Sequence, residues 1–210
     1  MGEVEEFIKS CELVADPHDP ESWTLSWTNV VYGVDHVNVR VLVETHRTAI
    51  PDQTWEIRAC NPVEITLKAG RTHGAALSRD HALLWPFKEQ VSQLNFTGPS
   101  ASHEGLLWEL YEAHHALTKG FIPRYLNAHF IHNRLSGGFG VLADGPDRLL
   151  REYASVLKRS DLESYFPYPS KPPRRVDEDR GQWIVEDRDL SVLILGNSHI
   201  IGTSFGAVRV

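Results

Sequence analysis

Residues 99–143 read PSASHEGLLWELYEAHHALTKGFIPRYLNAHFIHNRLSGGFGVLA, and they decide how the rest of the chain is arranged. The stretch predicts two helices joined near Gly120, followed by a glycine-rich turn. Glycine suits the end of a helix and proline suits its first turn, so Gly120 and Pro123 mark the junction between the two helices. This helical hairpin separates a strand-rich first half from a short, very apolar strand pair near the C-terminus.

The strand-rich half shows hydrophobic side chains at every second position, which is typical of half-buried strands. The clearest run contains Val37, Val39, Val41 and Val43. A similar run begins at Trp23, on the other side of a turn at Gly33, and the two predict a β-hairpin. Residues 55–58 and 63–67 predict further strands. One apolar and one polar face indicate an antiparallel sheet that is covered on one side.

The C-terminal third predicts a helix, a loop and a strand pair. The helix is expected to begin near Pro146, and the proline-rich and charged residues 167–181 predict an exposed loop. Leu190 to Leu195 form a nearly continuous apolar run, which favours a central strand buried on both faces. Gly196-Asn197 then predicts the turn into a returning strand.

Together these elements predict one α+β domain over residues 1–210. An N-terminal helix occupies residues 1–16 in this prediction. A mainly antiparallel sheet uses residues 22–97 and 183–210. The helical hairpin and the third helix, within residues 103–159, pack mainly on one face of that sheet.

The composition narrows the class of protein. The apolar fraction of 41% and the charged fraction of 23% are ordinary for a globular domain, so wholesale disorder is not expected. A formal charge of −7 indicates an acidic surface and argues against nucleic-acid binding through a basic patch. No apolar run approaches the ~20 residues that span a membrane. The six tryptophans suggest an aromatic core or a patch that pairs two subunits, so a homodimer is a possible assembly.

The two cysteines, Cys11 and Cys60, are far apart in the sequence. This usage predicts two reduced thiols rather than a disulfide framework. The acidic, amphipathic start of the chain is unlike a secretory signal. These features predict a cytoplasmic protein.

Glu112 and His115 form the sharpest local motif that could carry chemistry. Residues three apart share a helix face, and Glu-x-x-His binds metal in carboxylate-bridged di-iron bundles. Those sites need a second copy of the motif, which this sequence lacks, so a surface ion pair or hydrogen bond is the favoured interpretation. A divalent metal site at Glu112 and His115 is the alternative. Arg124 and Asn127, on the next predicted helix, would complete a candidate catalytic site.

The glycine-rich turn carries a second candidate site. Gly138, Gly140 and Ala143 match Gly-x-Gly-x-x-Ala, but a dinucleotide fold needs this pattern after a strand in a parallel unit. Here it follows a predicted helix, so a tight loop is favoured. Backbone N–H groups of the loop from Gly137 to Pro146 could still hold an anion, because a helix begins just beyond it. Gly138, Gly140 and Asp144 are therefore candidate ligand-binding residues.

The sequence lacks Walker, HExxH, EF-hand and paired CxxC signatures. We therefore favour a non-catalytic binding or interaction module with an acidic surface, whose partner is a protein or a small molecule. One alternative is a metal-dependent or acid–base enzyme with its site around Glu112 and His115. Another is a small-molecule or anion sensor that uses the loop from Gly137 to Pro146. Whether the protein is an enzyme stays open at this point.

Overall fold

The computed structural model describes residues 2–15, 19, 22–46, 50–98, 103–118, 135, 137–173, 175–177, 182–184 and 189–210. Contacts group the chain into two compact units, Met1–Asp80 with Arg188–Val210, and His81–Asp187. The predicted α+β class with antiparallel sheets is confirmed. The organisation of residues 1–210 as one domain stays a prediction. Within the described ranges, no helix has the length and apolar character that crossing a membrane requires.

The described residues form the following helices and strands. The helices are α1 (Val4–Val14), a short 3-10 turn (Ala82–Leu84), α2 (Trp85–Lys88), α3 (His103–Thr118) and α4 (Asp147–Arg159). The first seven strands are β1 (Gly2–Glu3), β2 (Trp23–Tyr32), β3 (His36–Thr45), β4 (Gln53–Cys60), β5 (Glu64–Thr66), β6 (Ala75–Ser78) and β7 (Val91–Thr97). The others are β8 (Phe139–Pro146), β9 (Glu163–Tyr165), β10 (Arg175–Asp177), β11 (Gln182–Ile184), β12 (Ser191–Leu195), β13 (Ser198–Gly202) and β14 (Ser204–Arg209).

The first unit is built from two antiparallel sheets, ordered β1-β14-β4-β3-β2 and β5-β13-β12-β6, which share one apolar core, and we call this unit the barrel. The chain passes from one sheet to the other between β4 and β5 and again between β13 and β14. A Cβ at Gly202 would lie 2.7 Å from the carbonyl oxygen of Cys60, so the passage from β13 to β14 needs glycine. On the other side, Leu25 of β2 and Thr72 exchange backbone hydrogen bonds of 2.8 and 2.9 Å just before β6. The strand pairing therefore returns to β2.

The barrel interior is apolar, as the alternating pattern predicts. Val37, Val39, Val41 and Val43 are all fully buried. Helix α1 contacts β14 and β6 and adds four buried side chains to the same core: Val4, Phe7, Cys11 and Val14. The predicted N-terminal helix, the β2–β3 hairpin and the central strand β12 are confirmed.

The second unit is a small sheet covered by helices. Its strand order is β8-β7-β9, and β10 pairs separately with β11. Helix α4 packs on all three strands of the sheet, and α3 packs on α4. A buried hydrogen bond of 2.6 Å between Nδ1 of His114 on α3 and the hydroxyl of Tyr153 on α4 joins the two helices.

This second unit departs from the prediction in three places. Strand β7 pairs with β8 and β9 rather than joining the sheet of the first half. Residues 139–146 form a strand instead of a loop; their alternation was hidden by two glycines and by a bulge opposite Leu94 and Asn95. Part of the predicted loop 167–181 pairs as β10 with β11. The junction at Gly120 and Pro123, with the second helix of the predicted hairpin, lies outside the described residues.

Candidate functional site

Glu112 and His115 lie on the exposed side of α3. Two aromatic residues share this part of the helix, Trp108 at 61% and Tyr111 at 52% exposure. Their rings stack with centroids 5.9 Å apart, and the Tyr111 ring lies 6.2 Å from that of His115. The predicted pair is therefore an exposed pair beside an aromatic stripe.

The described residues do not complete a metal site around this pair. No group of three or more His, Cys, Asp or Glu side chains within them is placed to hold a metal ion. Arg124 and Asn127, the other two candidate catalytic residues, lie outside the described part of the chain. The divalent metal and the enzyme site at Glu112 and His115 both stay predictions.

Strand β8 positions the other three candidates. Gly138 has a φ of +72° and lies in the turn before the strand, and Gly140 has a φ of +144° and pairs with Phe96 of β7. Asp144 pairs with Gln93 and is exposed. The glycine motif thus lies mainly in an antiparallel strand that leads into α4. This is not the parallel unit of a dinucleotide fold.

Asp144 borders a pocket that forms because the pairing beside β7 is interrupted. Asn95 and Thr97 pair with β9, whereas Val91 exchanges backbone hydrogen bonds of 2.7 and 2.9 Å with Lys171. Between these points, residues 166–170 run opposite only residues 92–94, so the longer segment bulges away from the strand.

The bulge leaves the backbone of Gln93 facing the pocket. Alternate residues of an antiparallel strand direct their N–H and C=O groups toward the same neighbouring strand. Gln93 lies midway between Val91 and Asn95, which both pair on this side, yet no described residue pairs with it there. One donor and one acceptor of the main chain are therefore turned toward the gap.

The pocket has a volume of about 220 Å³ and charged, polar and aromatic walls. Asp144 and Lys171 supply opposite charges, and neither forms an ion pair with another described residue. The ring of Tyr168 and the adjacent Pro169 form an apolar wall. This combination suits a small ligand that carries both polar and apolar groups.

A chain of hydrogen bonds lies beside the pocket. The Ser92 hydroxyl donates to the Ser170 hydroxyl at 2.8 Å, and Ser170 donates to the Asp147 carboxylate at 2.7 Å. Asp147 is the first residue of α4, where the helix dipole favours a negative charge, and Arg151 lies 3.6 Å from the same oxygen. Because a carboxylate only accepts hydrogen bonds, each hydroxyl in this series must donate toward Asp147. Since the Ser92 proton is used, its oxygen can only accept a further hydrogen bond.

Sequence reasoning missed Ser92, Ser170 and Lys171. Ser92 and Ser170 are 78 residues apart, and nothing local indicates that they meet. One signal was present: Ser92 occupies a buried position in a strand whose other buried side chains are Leu94 and Phe96. A hydroxyl at such a position requires a hydrogen-bond partner.

Comparisons of this chain with family models, with curated proteins and with solved structures find no match. Its function is therefore inferred from its own residues.

Proposed function

We propose that this protein is a non-catalytic binding module that holds a small polar ligand in the pocket between β7 and residues 166–171. The observation that carries the proposal is the gap in strand pairing at Gln93. A main-chain donor and acceptor that no strand uses are available to a ligand, and a hydrogen bond to each contributes about 0.5–1.5 kcal/mol. A ligand that bonds to both groups takes the place of the missing strand pairing at Gln93.

The dimensions of the pocket support a small molecule. At ~30 Å³ for each water, the volume of 220 Å³ corresponds to about seven water molecules. That space suits a metabolite-sized ligand and excludes a folded partner. Asp144, the candidate from the sequence, takes part as a wall of this pocket rather than as a member of an anion-binding loop.

The hydrogen-bond chain supports binding rather than covalent catalysis. A catalytic serine is activated by a neighbouring base, most often an imidazole. The group that receives the Ser92 proton is the hydroxyl of Ser170, which is a poor base. The chain instead fixes residues 168–171 against β7 and orients the Ser92 oxygen. The proposal keeps the expectation of an acidic, cytoplasmic protein without a nucleic-acid partner, as a monomer or a homodimer.

The aromatic face of α3 favours a second binding function, directed at a basic protein partner. Trp108 and Tyr111 expose stacked rings, and Glu112 adds a carboxylate one residue further on. Arginine and lysine bind to aromatic faces through cation–π contacts. The double variant Trp108→Ala/Tyr111→Ala should then lose binding to an arginine-containing peptide. Leu13→Ala, at an exposed apolar residue on α1, is the control and should bind normally. Equal binding by the double variant and by the unmodified protein would reject this surface.

The pocket is tested by nuclear magnetic resonance of ¹⁵N-labelled protein. The probes are a library of small amides, amines, carboxylates and amino acids at millimolar concentration. We expect amide shifts that cluster at Ser92, Gln93 and Lys171. Lys171→Ala should reduce them, whereas Lys158→Ala, an exposed lysine on α4, should not. Shifts in none of these amides, or shifts unaffected by Lys171→Ala, would contradict the proposal.

A further inference from the structure

We propose that the ligand of this pocket is a zwitterion, specifically a free α-amino acid with an aromatic or apolar side chain. This inference rests on the proposed binding function. It names the chemical class of the ligand from the charges, the hydrogen-bond polarity and the walls of the same site.

Opposite charges lie on the same face of the small sheet. Asp144 is opposite Gln93 on one side of β7, and Lys171 is opposite Val91 on the other side. Gln93 and Val91 are two positions apart, so their paired residues share the outer face of the sheet. With ~4.8 Å between strands and ~3.4 Å per residue, the two backbone positions are about 12 Å apart. Their side chains can therefore bracket a ligand of amino-acid length.

The neutral groups add donors and acceptors of matching kinds. The Gln93 carbonyl and the Asp144 carboxylate provide acceptors for an ammonium group. The Gln93 N–H and the Lys171 ammonium provide donors for a carboxylate. The pocket therefore offers both halves of an amino acid's polar end.

The remaining wall indicates the side chain of the ligand. The ring of Tyr168 and the ring of Pro169 line the pocket, and Tyr168 is 64% exposed. An aromatic ligand side chain that stacks on Tyr168 would cover this apolar surface. A ligand of single charge would be attracted by one of these two side chains, Asp144 and Lys171, and repelled by the other, which weakens its binding.

The test compares L-phenylalanine with two analogues by isothermal titration calorimetry on the full chain. Phenethylamine lacks the carboxylate, and 3-phenylpropionate lacks the ammonium group. We expect L-phenylalanine to bind at least about tenfold more tightly than either analogue, which corresponds to about 1.4 kcal/mol.

Two variants assign the charges. Lys171→Ala should weaken L-phenylalanine and 3-phenylpropionate but leave phenethylamine within about twofold. Asp144→Asn should weaken L-phenylalanine and phenethylamine and spare 3-phenylpropionate. Lys158→Ala and Asp161→Asn, which change exposed residues outside the pocket, are the matched controls.

The possible failures are distinguishable. If probes shift the amides at Ser92 and Gln93 but L-phenylalanine binds no better than its analogues, the zwitterion is wrong and the binding function stands. Preference for 3-phenylpropionate alone would replace the zwitterion with a simple anion. If no probe perturbs the pocket, both the ligand class and the binding function are overturned.

Discussion

The barrel unit and the helix-covered sheet differ in what joins their elements. In the barrel, α1 and both sheets contribute to one apolar cluster, and burial in it raises the pKa of the Cys11 thiol to about 12. In the second unit, a buried hydrogen bond joins separate elements, as between His114 of α3 and Tyr153 of α4. An apolar interior needs only side chains of suitable size and period, whereas a polar interior needs specific partners. The candidate site lies in the second kind of region.

The largest expected effect concerns Cys11, which tests how dry the barrel interior is. A pKa that rises from 9.0 to about 12 lowers the thiolate fraction at pH 8 by about 1,000-fold. In a Cys60→Ser variant, iodoacetamide should therefore alkylate Cys11 at least about 1,000-fold more slowly in the native protein than in urea. The half-buried Cys60 should react in a native Cys11→Ser variant.

The same shift sets a pH dependence. Because folding raises the pKa of Cys11, its contribution to stability is complete below pH 9 and is lost as pH rises toward 12. The urea midpoint should fall over that range, and it should fall less in Cys11→Ala. Rapid alkylation of native Cys11 would show that water reaches the barrel interior.

The next effect is the loss of a core side chain. Leu193 on β12 is completely buried, whereas Leu13 on α1 is 79% exposed. Leu193→Ala should lower the free energy of unfolding by about 3 kcal/mol, because it removes transfer energy and leaves a cavity. Leu13→Ala makes the same chemical change at the surface and should cost less than about 0.5 kcal/mol. Urea denaturation measures both, and similar losses in the two variants would contradict the barrel core.

The strands of the barrel could be predicted from the sequence, because alternating buried positions require alternating apolar residues. The valines of β3 alternate without interruption, and the apolar run of β12 indicates a strand covered on both faces. The pattern does not show which strands pair with each other. Nothing local in β7 specifies that its partners are β8 and β9 rather than the earlier strands.

The candidate site was harder to predict from the sequence, because it also depends on strand pairing. Asp144 was selected, but as part of a loop, since glycines and a bulge obscure the alternation of β8. The prolines around Ser170 and Lys171 indicate a loop, and only the long-range contact of Lys171 with Val91 makes it a wall. A gap in strand pairing is a property of two distant segments, so neither segment alone reveals it.

The smallest expected effect tests the polar interior of the second unit. The His114–Tyr153 hydrogen bond is 2.6 Å long, and both residues are buried. Tyr153→Phe keeps the ring and its packing but removes the hydroxyl that bonds to Nδ1 of His114. The loss should cost about 1–2 kcal/mol, because a buried polar group forfeits that hydrogen bond. Tyr111→Phe on the exposed side of α3 is the control and should cost about 0.5 kcal/mol or less.

A double-mutant cycle separates this bond from simple packing. In a His114→Leu background, Tyr153→Phe should cost less than in the unmodified protein, because the hydrogen bond between His114 and the hydroxyl is already absent. Equal costs in both backgrounds would mean that the hydroxyl acts independently of His114. The Ser92–Ser170–Asp147 chain would then be the remaining test of side-chain hydrogen bonds between elements of the second unit. Ser170→Ala should lower the free energy of unfolding more than Ser155→Ala, which changes a serine on the exposed side of α4.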